Sequence, residues 1–279
     1  VTCLNPLGGW HARNPNPDTG RYGVTFRMRD GWQDRPIDLP CGKCAGCLAD
    51  KASGWAVRCY HESTQHERNC FATLTYADPP PPELDKDHLQ RFFKRLRARG
   101  VRFRYFACGE YGSITRRPHY HVLFFGQDFL DGSERAFDSK YYQHPILTDA
   151  WGYGRVTLGA CEPASVYYCT GYQLKDLAQP GTFHLASKRP YIGSGWLAKY
   201  HDDIVRNGFV TIDGQRRPVP RSYLLRPEFR FEFEALKDSR RDLVESRTPE
   251  EVVQIRDSAR ARETNLLARQ KGALRSDRI

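Results

Sequence analysis

The sequence contains no run of about 18 consecutive apolar residues, the length a membrane-crossing helix needs. Residues 1–14 lack the charged-then-apolar order of a signal peptide. No membrane partner is expected, and the chain reads as cytosolic. There is no G-x-x-x-x-G-K-[ST] loop, so a helicase of that kind does not reside in these residues. Internal repeats and low-complexity blocks are also missing. Lysine is scarce, with 10 against 33 arginines, and Met28 is the single methionine. Since the chain opens on Val1, either an initiator has been removed or the sequence is part of a longer one.

What is present describes a globular, polar chain. Its 279 residues are 39 % hydrophobic and 27 % charged, with a mean hydropathy of -0.67, which excludes collagen-like, mucin-like and wholly disordered chains. The net charge of +10 and pI of about 9.2 make a polyanion the first partner to consider. The arginine bias points the same way, because a guanidinium pairs bidentately with phosphate. A basic balance is nevertheless common among ordinary soluble proteins. Nine cysteines, an odd number in a long chain with three closely spaced, favour metal ligation over a disulfide framework.

Hydrophobic patterning gives the order β-α-β-β-(α)-β-α. A helix is predicted over 48–68 with Trp55 on its buried face, a buried strand over 70–76, and a basic amphipathic helix over 85–99. Strands over 102–108 and 119–125 pair as a hairpin, a short helix lies around Trp151, and a strand over 155–158 precedes a helix over 162–177. This predicts an α+β fold with a central antiparallel sheet flanked by helices. Four parts are expected: a Cys-rich N-terminal segment and helix (1–66), a core (67–178), an appended loop-and-strand segment (179–228) and a charged helical tail (229–279). Within the first part, 22–28 could form strands.

Three constellations carry chemistry. In Pro118-His119-Tyr120-His121 the alternation of a strand sends both imidazoles to one face, about 7 Å apart at Cα, close enough to share a metal. Glu110, at the end of the preceding hairpin strand, is an available third ligand. Two imidazoles and a carboxylate leave positions open for a phosphate oxygen on Mg2+ or Mn2+. The alternative is an exposed polar sheet face and an ordinary loop carboxylate. In the helix predicted over 162–177, Tyr168, Tyr172 and Lys175 lie within about 40° of one another on a face. They form either a phenol and ammonium cluster or an aromatic core stripe. Cys41, Cys44 and Cys47 follow C-x-x-C-x-x-C spacing, with Cys3 as the best fourth ligand and His11 as a substitute. Structural Zn2+ is favoured over an iron-sulfur cluster or three buried thiols. The arginines from Arg91 to Arg104, Arg95 among them, together with Arg116 and Arg117, are expected beside the histidines, where they suit a phosphate backbone or else form a solvated face.

In order and spacing these pieces resemble the HUH endonucleases, specifically the rolling-circle replication initiators of Microviridae phages of the gokushovirus type. The matching runs are Pro-Cys-Gly-Lys-Cys-x-x-Cys at 40–47, Phe-Ala-Thr-Leu-Thr-Tyr at 71–76, Gly-Glu-Tyr-Gly at 109–112 and Arg-Pro-His-Tyr-His at 117–121. The tyrosine run at 168–175 and Arg-Pro-Tyr-Ile-Gly-Ser-Gly-Trp at 189–196 complete the set. The resemblance implies an RRM-like HUH nuclease core over 67–178. In it His119 and His121 are metal ligands, Glu110 completes the site, and Tyr168 and Tyr172 are nucleophiles. It further implies metal-dependent nicking of single-stranded or supercoiled origin DNA in the cytoplasm of a bacterial host. The products are a 5′-phosphotyrosyl bond and a free 3′-OH for a host polymerase working with a host helicase, and strand joining follows. Cys169-Thr170-Gly171 departs from the usual pattern, since Gly171 costs about 1 kcal/mol of helix propensity relative to alanine. A transposase or relaxase of the same chemistry and a zinc-stabilised, non-cleaving DNA-binding regulator are the alternatives.

Overall fold

The computed structural model describes residues 3, 5–18, 20, 22–112, 115–135, 141–171, 181–246 and part of 248–268. Two compact units are present, one of Val1–Asp50 with Thr248–Gly272 and one built on Lys51–Arg247.

In the first unit, β1 (Leu7–Ala12), β2 (Val24–Thr25) and β3 (Gly31–Leu39) form an antiparallel sheet in the order β2-β1-β3. Only β2 falls in the segment where the sequence suggests strands. The sequences LGGWHA and GWQDRPIDL carry glycine, proline and aspartate, which are depleted in strands, so β1 and β3 read as loop. Among the described residues up to Cys44, only Gly9 and Gly31 are buried. This sheet therefore has almost no apolar core of its own. Helix α1 (Ala45–Ser63) starts here and runs into the second unit.

The second unit continues with β4 (Asn69–Tyr76), α2 (Lys86–Ala98), β5 (Arg104–Tyr111), β6 (Pro118–Phe125), β7 (Glu134–Arg135) and β8 (Tyr142–Gln143). Next come α3 (Pro145–Trp151), β9 (Gly154–Ala160), α4 (Pro163–Gly171) and β10 (Phe183–Ala186). The chain then forms α5 (Ser194–Asn207), β11 (Phe209–Ile212), β12 (Gln215–Pro218), α6 (Arg221–Leu224) and α7 (Arg230–Glu245). Seven strands make an antiparallel sheet in the order β10-β5-β6-β4-β9-β8-β7. The α+β architecture expected from the sequence is the one observed, including the β5-β6 hairpin.

The two faces of this sheet have different partners. Ala72, Leu74 and Tyr76 of β4 and Tyr120, Val122 and Phe124 of β6 point to one face. There Leu89, Phe92, Phe93 and Leu96 of α2 and Leu147, Ala150 and Trp151 of α3 cover them. Helix α2 starts cleanly because Asp85 accepts hydrogen bonds from the backbone N–H groups of Asp87 (2.7 Å) and His88 (3.3 Å). On the other face Phe106, Cys108, Leu123 and Phe125 pack with Ala56 and Cys59 of α1 and Val166 and Cys169 of α4. A third cluster joins Val57 of α1 to Leu197, Ile204, Val210, Ile212, Tyr223 and Phe233. Its α5 lies where the sequence reads as loop and strand, because Gly193, Gly195 and nearby prolines mask a helix whose apolar residues are only Leu197 and Ile204 on the buried side. Helix α4 is described to Gly171, and the rest of the helix predicted to 177 lies outside the described residues.

Gly154 opens β9 against β4, where an added methyl group would run into the carbonyl oxygen of Thr75 and the amide of Ala77. Both obstacles are backbone and cannot rotate away. Gly154→Ala is expected to cost about 3 kcal/mol, the upper end of ordinary single substitutions, read as the loss of urea midpoint at unchanged slope. A loss below about 0.5 kcal/mol would show that the β4-β9 edge yields.

Candidate metal centre and tyrosine site

Antiparallel register assembles the centre. Glu110 of β5 lies directly opposite His119 of β6, and Cys108 opposite His121. Side chains of opposed residues share a face, so Glu110, His119 and His121 converge on the α1/α4 side of the sheet. Glu110 is 2 % exposed and His121 4 %. One carboxylate oxygen, Oε1 of Glu110, lies 2.6 Å from Nε2 of His119 and 3.2 Å from Nε2 of His121. A carboxylate oxygen only accepts, so a proton or a metal ion must lie between the atoms of each contact. Adjacent vertices of an octahedron with bonds of about 2.1 Å are about 3.0 Å apart, close to these separations. The donor set therefore fits a hard divalent ion.

The outer nitrogens of the imidazoles are also held. Nδ1 of His119 lies 3.2 Å from the carbonyl oxygen of Arg117, and Nδ1 of His121 lies 3.0 Å from the hydroxyl of Thr73. A carbonyl only accepts, so His119 carries its proton on Nδ1 and turns Nε2 toward the centre.

Burial by itself would raise the pKa of Glu110, but hydrogen bonds from His119 and His121 outweigh it and hold the carboxyl at about 2. A folded-state value below the unfolded value near 4.5 gives stability that is fully present above pH 4.5 and is lost as pH falls toward 2. In metal-free protein, Glu110→Gln is expected to flatten the dependence of the urea midpoint on pH across that window. Equal slopes in the two proteins would remove Glu110 as a source of acid lability.

Tyr168, on α4, sits at this centre with 51 % of its surface exposed. Its ring meets that of His121 edge-on, with centroids 5.2 Å apart, and meets Phe71 similarly at 6.1 Å. The other two residues of the predicted cluster, Tyr172 and Lys175, lie outside the described residues.

The arginines divide. Arg116 and Arg117 belong to the β5-β6 turn beside the triad. Arg116 lies over the ring of Tyr111 at 5.4 Å, while Arg117 pairs with Asp78 and donates to the carbonyl of Tyr76 at 2.9 Å. Arg95 does not lie beside the histidines as expected. Helix α2 covers the opposite face of the sheet, and the Arg95 guanidinium donates to the carbonyls of Ala150 (3.0 Å) and Trp151 (3.1 Å) at the end of α3. Its role there is to cap that helix.

In the first unit the four cysteines Cys3, Cys41, Cys44 and Cys47 bring their sulfurs within 4.8 Å of one another. The contacts from Cys41 to Cys47 and from Cys44 to Cys3 are both 3.9 Å. Four sulfurs about 2.3 Å from one ion at tetrahedral angles are about 3.8 Å apart, so this set also fits a metal. Cys3 supplies the fourth donor, and His11 stands outside the group. Backbone amides of Lys43 and Cys44 lower the Cys41 thiol to about 6, while burial pushes Cys47 up.

Phe71 and Thr73 were not singled out as site residues by sequence reasoning. The available signal was their place in the Phe-Ala-Thr-Leu-Thr-Tyr run, where alternation puts them on the face opposite Ala72 and Leu74.

Comparison with known proteins gives the family. A model of the replication-associated protein ORF2 family matches residues 69–177, which span β4 to α4 and contain the triad. Replication-associated protein VP4 of Bdellovibrio phage phiMH2K is 33 % identical over 210 residues, covering 66 % of this chain and 66 % of that protein. For replication-associated protein ORF2 of Spiroplasma virus 4 the figures are 35 % over 205 residues, 63 % and 62 %. For replication-associated protein ORF4 of Chlamydia phage 1 they are 31 % over 230 residues, 72 % and 57 %. The chain thus spans about two thirds or less of the length of these relatives. No solved structure matches it. No helix among the described residues is long and apolar enough to cross a membrane. With the hairpin centre lying inside the matched segment, the chain belongs to the phage replication-associated proteins of the ORF2 family, Microviridae type.

Proposed function

We propose that this protein is a replication initiator that nicks and rejoins single-stranded origin DNA by tyrosine attack, as an HUH endonuclease. The observation that carries the reading is the ring of Tyr168 lying edge-on to His121, with Glu110 and His119 beside them. Bound by Glu110, His119 and His121, a Mg2+ or Mn2+ ion supplies Lewis-acid polarisation of a phosphate oxygen. Oη of Tyr168 attacks the scissile phosphorus, the Oη–P bond forms, and the bond from phosphorus to the 3′ oxygen breaks. That oxygen takes up a proton and becomes the 3′-OH primer. The 5′ end stays on the enzyme as a phosphotyrosine, so the ester bond energy is retained and joining needs no ATP. Tyr172 serves as the second nucleophile that closes the circle, with Lys175 assisting proton transfer.

Arg116 and Arg117 are placed by the hairpin turn to meet backbone phosphates. The four cysteines hold a structural Zn2+. Sulfurs this close leave no room for the irons and sulfides of a cluster, and a set of four cysteine thiolates is typical of zinc. Host helicase and polymerase complete the reaction in the host cytoplasm.

The test mixes the zinc-loaded protein with labelled single-stranded DNA carrying origin hairpins of its own genome, with and without Mn2+. Denaturant-resistant adducts are then resolved on a gel. An Mn2+-dependent adduct that survives Tyr168→Phe or Tyr172→Phe alone and vanishes in the double variant is the expected result. DNA binding with no adduct would instead make the protein a zinc-stabilised regulator.

A further inference from the structure

We infer that Thr73 is a positioning residue of the metal centre, acting through His121. This rests on the proposed metal-dependent reading of the Glu110, His119 and His121 site. Thr73 lies directly opposite His121 in the β4-β6 register, and its Oγ1 is 3.0 Å from Nδ1 of His121.

The two histidines are held by different chemistry. His119 faces a carbonyl, which fixes one tautomer, whereas His121 faces a hydroxyl, which both donates and accepts. With no metal bound, the contact from Nε2 of His121 to the Glu110 carboxylate needs a proton on Nε2. Nδ1 of a neutral ring then accepts from the Thr73 hydroxyl. With Nε2 given to a metal, the proton sits on Nδ1 and is donated to Oγ1 of Thr73. The same hydroxyl thus satisfies His121 in both states without moving the ring. Phe71, two residues earlier on the same face, stacks on the imidazole with centroids 5.3 Å apart and planes at 14°. Phe71 therefore sets the plane of the ring, and Thr73 sets its rotation within that plane.

Thr73→Val keeps the β-branched shape and removes the hydrogen bond, while Thr73→Ser restores the hydroxyl. Mn2+ is titrated into zinc-loaded protein and followed by its electron paramagnetic resonance signal, with His121→Ala as the reference for the site. Long-range 15N NMR reports the His121 tautomer in the same proteins. Thr73→Val is expected to weaken Mn2+ binding by about ten- to a hundredfold and to broaden the tautomer signal. Thr73→Ser is expected to return both to within about threefold of the parent, at equal melting temperatures. Mn2+ affinity unchanged in Thr73→Val would overturn the assignment of Thr73 while leaving the metal site intact. A parent protein whose Mn2+ binding does not depend on His121 would overturn the metal-site reading and this inference with it.

Discussion

Glu110→Gln is expected to lower metal-dependent DNA cleavage by at least about a thousandfold in a protein that still folds, roughly 4 kcal/mol of barrier. Glu110 is the only anionic member of the triad. Glutamine keeps its length and shape but leaves a divalent cation with two neutral imidazoles in a buried position. The uncompensated charge is what makes the effect large, because a buried ion is costly without an opposing one. The check is single-turnover adduct formation against Mn2+ concentration, with melting curves recorded alongside. If cleavage stays within about tenfold of the parent at saturating Mn2+, the carboxylate is not a ligand.

Removing the metal from the four cysteines should have an effect of similar size on structure. The sheet of β1, β2 and β3 buries only two glycines among its described residues up to Cys44, so hydrophobic burial cannot hold it. Structural zinc in small peptides contributes about 10–16 kcal/mol of apparent binding energy at neutral pH. Chelation, or Cys41→Ser, is therefore expected to abolish amide-exchange protection across Leu7–Ala12 and Gly31–Leu39 while β4, β5 and β6 keep theirs. Retained protection in metal-free protein would mean that the sheet is held by other contacts.

Much of the second unit was legible because its strands alternate and its helices repeat. The apolar face of β4 and the spacing of Leu89, Phe92, Phe93 and Leu96 fix the sheet and the helix on it. The triad was legible too, since a two-residue period and one hairpin suffice to place Glu110 with the histidines. Less visible was which sheet face each helix would cover. Arg95 sits on a basic helix that looks suited to DNA, yet α2 covers the face away from the histidines. The first unit was poorly legible for a physical reason. Its strands are organised by four sulfurs rather than by apolar alternation, so no periodicity announces them.

The hairpin origin of the triad also sets an order of assembly. Glu110 and His121 are eleven residues apart in the chain, so their half of the site closes on the hairpin timescale of about 1–10 μs. Tyr168 arrives on a helix far downstream, after β9 has paired, and this non-local contact is the slow one. A chain still emerging from the ribosome can thus hold its cation before it holds its nucleophile. Within this geometry, an unfinished initiator is unarmed, and the capacity to break DNA appears only with the completed fold.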